Sequence, residues 1–127
     1  MKTETEVVFS VDLCRTCPDV IFVFGDNLIR RGTAGQAVIR GESNAFGIPT
    51  KRYPAMRDGA FFSDQPEEID AVVQSLRELW VKSKGKTVVF PVKGLGTGMA
   101  RMKQKSPIAY AEMCAILATH FNYSNGE

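Results

Sequence analysis

The chain has 127 residues, 44% of them hydrophobic and 24% charged, with a formal net charge of +2. That length and balance suit one globular domain, residues 1–127, with a single core, rather than a disordered or repetitive chain. They exclude a nucleic-acid binder built on a basic patch, because the densest basic run, Lys82 to Lys86, is broken by Ser83 and Gly85.

In chain order, Val7-Val8-Phe9-Ser10-Val11 reads as a first strand. Val20 to Phe24 is continuously apolar and β-branched or aromatic, as in a strand buried on both faces of a parallel sheet. Ala34 to Arg40 predicts a short helix stopped by Gly41. Asn44 to Pro49 reads as a weaker strand, and residues 51–63 as a loop. Asp64-Gln65-Pro66-Glu67 opens a helix, with Asp64 as cap and Glu67 closing a capping box. Ile69, Val72, Val73, Leu76 and Trp80 continue it at helical spacing, the tryptophan on the core stripe, until Gly85. Thr87 to Val92 is a second buried-type strand. Ser106-Pro107 then starts a helix to about His120, and Asn122 to Glu127 is a polar tail.

Strands alternating with helices predict an α/β fold. In such sheets ligands sit beyond the carboxyl ends of parallel strands. Two glycine-rich segments fall there. The first, VFGDNLIRRGTAGQA over residues 23–37, follows the first buried-type strand; the second, FPVKGLGTGMAR over 90–101, follows the other. Glycines let backbone N–H groups converge on an anion and let a ligand approach closely. Neither segment carries the G-K-[ST] of a P-loop, and the first lacks the dinucleotide fingerprint, so the implied phosphate site follows another scheme. Arg30 and Arg31 offer planar cations, and Thr50-Lys51 stands at a third strand end.

Other chemistry has less support. Cys14-x-x-Cys17 lacks partners for zinc: Cys114 and His120 are six residues apart on one predicted helix and face different ways. The pair precedes a strand rather than opening a helix, so two loop cysteines are expected, and an odd total of three argues against a disulfide framework. No metal or cofactor is expected. No apolar run approaches the ~18 residues of a membrane span, and the polar, acidic opening is no signal peptide. A cytoplasmic protein without membrane contact is therefore expected.

These two loops resemble those of macro domains, which bind ADP-ribose. Asn27 followed by Gly32-Thr33-Ala34-Gly35-Gln36-Ala37 matches the first loop of that family, and Phe90-Pro91 followed by Gly94-Leu95-Gly96-Thr97-Gly98 the second. The chain also resembles small bacterial and phage proteins carrying V-F-G-D-N-L, G-I-P-T-K and G-L-G-T-G. The resemblance covers about residues 20–51 and 87–107. It implies a three-layer α/β/α sandwich around a mixed, mostly parallel sheet.

It also implies a small-molecule nucleotide ligand, ADP-ribose or a related adenine diphosphate. The expected ligand-binding residues are Gly25, Asp26, Asn27, Arg31, Gly32, Thr33, Gly35, Gln36, Thr50, Lys51, Gly94, Leu95, Gly96, Thr97, Gly98 and Met99. Asn27 would sit by the distal ribose and, in an enzyme, position substrate or water for ADP-ribosyl hydrolysis. Asp26 or Asp12 would read the adenine, and one of Phe46, Tyr53, Phe61 and Phe62 would cover a ring face. Gln36 stands where hydrolytic relatives often place an acid, so binding is favoured over hydrolysis. Two rivals stay open. One is a non-enzymatic interaction protein of the same fold, with a protein partner and an exposed apolar patch. The other is a nucleotide-processing enzyme using Asp26.

Overall fold

The computed structural model describes residues 1–126. Its sheet has four strands, β1 (Lys2–Glu6), β2 (Val20–Asn27), β3 (Ala45–Lys51) and β4 (Thr87–Pro91), in the order β1-β4-β2-β3. Every pair of neighbours runs parallel, so the expected admixture of antiparallel strands reduces to a single bridge between Lys51 and Phe61. The two apolar runs become the central strands β2 and β4, as their composition requires.

Successive residues of β2 face opposite ways. Ile21 and Val23 join Ile48, Val88 and Phe90 under the helices α2 (Pro66–Lys82) and α4 (Pro107–Phe121), which supply Val72, Leu76, Leu79, Met113 and Leu117. Phe22, Phe24 and Val89 pack on the other face against Phe9, Cys14, Ala37 and Ile39. Phe9 meets Phe22 edge to face at 5.5 Å. This second layer comes from α1 (Val11–Thr16) and the 3-10 helix Gly35–Ile39.

The expected first strand at Val7–Val11 is corrected. The strand is the polar segment before it, held at the sheet edge by its ladder to Thr87–Pro91 and by the Thr3 hydroxyl on the Phe121 carbonyl at 2.6 Å. Val7 and Val8 are 61% and 67% exposed in the connection that follows. Ser10 then caps α1 by accepting from the Leu13 N–H. Cys14 therefore lies on a helix, not a loop, and burial pushes its thiol pKa up.

The cap of α2 is also corrected. Gln65 is its N-cap, and Glu68, not Glu67, returns a hydrogen bond to the Gln65 N–H at 3.2 Å. Asp64 has left-handed backbone (φ 59°) and turns instead to α4. Its carboxylate accepts from the Ala109 and Ile108 N–H groups and from the Ser106 hydroxyl. An unforeseen one-turn helix, α3 (Met102–Lys105), precedes Ser106. Trp80, expected on the core stripe, is 42% exposed, its ring edge-on to Phe121 and His120.

Candidate functional site

The carboxyl ends of β2, β3 and β4 open into a cavity of about 400 Å³, on the sheet edge where the two glycine loops meet. Its floor is Gly25, Thr50 and Gly96. A Cβ on Gly25 would stand 3.6 Å from the Thr50 hydroxyl and 4.0 Å from the Gly96 nitrogen, so the bare backbone keeps this floor low. Thr50 itself donates to the Asp26 carbonyl at 3.1 Å.

The first loop forms one wall with Asn27, Arg31, Gly32, Thr33, Gly35 and Gln36. Its side chains hold the loop together. Asn27 donates to the Arg31 carbonyl at 2.8 Å and accepts from the Arg31 N–H at 3.4 Å, so both ends of its amide are engaged. Gln36 accepts from the Phe9 N–H and donates to the Val7 carbonyl, tying the wall to the segment before α1.

Asp26 is buried, and its carboxylate takes hydrogen bonds from Arg30, Arg40 and the Asn27 N–H. Arg40 also donates to the carbonyls of Gly32 and Arg31. It is thus the clamp of the first loop, and sequence reading missed it. The only available signal was its place at the end of the short helix, where nothing marks it as turned back toward Asp26.

The second loop forms the facing wall with Gly94, Gly96, Thr97, Gly98 and Met99. Leu95, expected beside them, is buried in the main core and does not line the cavity, because the left-handed glycines on either side turn its side chain inward. The Thr97 hydroxyl donates to the Lys93 carbonyl at 2.7 Å, within the loop. The N–H groups of Thr97, Gly98 and Met99 have no acceptor among the described residues.

The tail beyond Asn122, expected as a polar extension, carries this loop. Asn125 accepts from the Leu95 N–H at 2.7 Å and donates to its carbonyl at 2.9 Å. Tyr123 stacks on Phe90 at 4.4 Å, and its hydroxyl bonds the Pro91 carbonyl. Burial pushes that phenol up to about 12.

Four cationic residues line the cavity, Arg31, Arg40, Lys51 and Lys93, against one carboxylate, Asp26, which is already paired. Asp12, the other acid considered for adenine, is exposed on α1 and outside the lining. Phe46, Tyr53, Phe61 and Phe62 are outside it as well; the bulkier apolar residues of the lining are Pro54, Met56, Pro91 and Met99. No group of metal-ligating side chains occurs among the described residues, and no helix there is long and apolar enough to cross a membrane.

Neither the curated proteins nor the solved structures contain a match to this chain. Residues 4–116 match the family model described as a family of unknown function, DUF7831, and the chain belongs to that family.

Proposed function

We propose that the cavity binds ADP-ribose or a related adenine diphosphate nucleotide, in a macro-like α/β/α three-layer sandwich. The observation that carries this reading is the meeting of two glycine loops over one cavity whose lining holds four cationic residues and a single, paired carboxylate. Such a surface favours an anion, and backbone N–H groups without acceptors suit phosphate oxygens. The volume falls in the range of roughly 300–1,000 Å³ typical of small-molecule sites. Met56 and Met99, both exposed at the rim, offer polarisable faces to a base or ribose.

Binding is favoured over ADP-ribosyl hydrolysis because Asn27, the polar group expected by the ribose, and Asp26, the one carboxylate of the lining, both hold the loop. A binder of this size would read ADP-ribosylation or sequester an ADP-ribose-derived signal. Calorimetric titration with ADP-ribose, AMP and ribose 5-phosphate tests the reading. Micromolar binding of ADP-ribose, with much weaker binding of the two fragments, is expected. No heat from any of the three would remove this ligand class.

A further inference from the structure

Lys51 closes β3 with only 9% of its surface exposed. Its ammonium donates to the Ala55 carbonyl, stands 3.6 Å from the Met56 sulfur and lies 5.0 Å above the centre of the Phe61 ring. No carboxylate among the described residues lies within ion-pair distance of it. A buried ammonium without a counter-charge is costly, and buried charges are normally paired.

Its surroundings add further positive charge. Arg101 acts on Lys51 from the end of the second loop, and Lys105 of α3 reaches the same Phe61 ring at 5.2 Å. Asp26, the carboxylate of the cavity lining, is held by Arg30 and Arg40.

We propose that Lys51 is a phosphate-accepting cation of the cavity lining, and that its missing counter-charge is supplied by a phosphate group of the ligand. The inference rests on this cavity taking a phosphorylated ligand, but it names which side chain reads the charge. Burial, then the charge of Arg101, lowers the Lys51 pKa in the free protein. A bound phosphate attracts the charged ammonium and raises that pKa again, so binding takes up a proton at alkaline pH, as the medium nears the ordinary lysine range of ~10.4.

The test is calorimetry with inorganic pyrophosphate and, separately, with ADP-ribose, in buffers of different ionisation enthalpy. Expected are binding of pyrophosphate, a buffer-dependent heat at alkaline pH, and at least about tenfold weaker binding in Lys51→Met. Lys51→Arg should retain binding and lose the proton uptake. Undiminished ADP-ribose binding in Lys51→Met would overturn the role of Lys51 and leave the nucleotide reading standing. Pyrophosphate binding that needs Lys51, without any for ADP-ribose, would keep that role and remove the nucleotide. Failure of pyrophosphate to bind the native protein would overturn the role.

Discussion

The first glycine loop is held by ionised and amide side chains: Arg40 and Arg30 on Asp26, Arg40 on two loop carbonyls, Asn27 on Arg31. The second is held by packing and by a segment far along the chain: Gly96 over Met102, Gly94 against Gly126, Asn125 on Leu95. Two walls of one cavity, both glycine-rich and both at parallel strand ends, thus have different scaffolds. Sequence resemblance between the loops says little about what each tolerates.

Glycine substitutions separate the walls most sharply. Gly96 has φ 72°, and a Cβ there would meet the Met102 sulfur at 2.7 Å and its Cβ at 3.1 Å. Met102 is fully buried, so it has little room to yield. Gly96→Val combines a β-branched residue in left-handed backbone with overpacking, and should lower unfolding free energy by about 3 kcal/mol or more in urea titration. Gly35 has φ 58° but nothing within 4 Å of the added Cβ. Gly35→Ala should cost only about 1 kcal/mol, from backbone alone. Equal losses at the two sites would dissolve the distinction.

The next effect belongs to the first wall. Asp26→Asn keeps the shape but leaves Arg40 without its anion. Arg40 retains the Gly32 carbonyl and some solvent, so the expected loss is about 2–3 kcal/mol, below that of a fully buried pair. Proteolysis between Leu28 and Ala34 should accelerate, with the second loop unaffected. On the second wall, Asn125→Ala removes two hydrogen bonds to Leu95 and a longer one to the Tyr110 hydroxyl, and should cost about 1–2 kcal/mol. Its amide-exchange signature should be confined to residues 94–98. Faster exchange in residues 28–34 instead would show the loops to be one unit.

How much of this was legible follows the kind of interaction. β2, β4, α2 and α4 were readable because their apolar residues recur at the spacing their burial demands. The convergence of both glycine loops followed from parallel strand order. β1 was hidden because Lys-Thr-Glu-Thr-Glu has no apolar alternation; an edge strand exposed on both sides needs only its ladder. Arg40, Asn125 and Asp64 were hidden for a common reason. Each acts on a partner whose approach depends on the tertiary fold: Asp64 bonds residues more than 40 positions away, a relation that local capping patterns cannot express.

Asp64 also gives the second wall its pH-sensitive anchor. It grips Ser106 and the start of α4, just beyond the loop and α3, so it fixes the exit of the wall as Asn125 fixes its entry. Burial raises its pKa, but hydrogen bonds from Ala109, Ser106 and Ile108 outweigh burial and hold the carboxyl below its ordinary value. A carboxyl lowered in the folded state stabilises fully above the ordinary ~3.9 and loses that contribution as pH falls through the folded value. Acidification below pH ~3.9 should therefore loosen α3 and the start of α4, seen as faster exchange of the Ile108 and Ala109 amides. Asp64→Asn keeps the left-handed turn while removing the titrating group. It should flatten that acid dependence and cost about 1 kcal/mol at neutral pH. An unchanged acid profile in the variant would move the pH sensitivity elsewhere and leave the second wall with packing and the Asn125 hydrogen bonds.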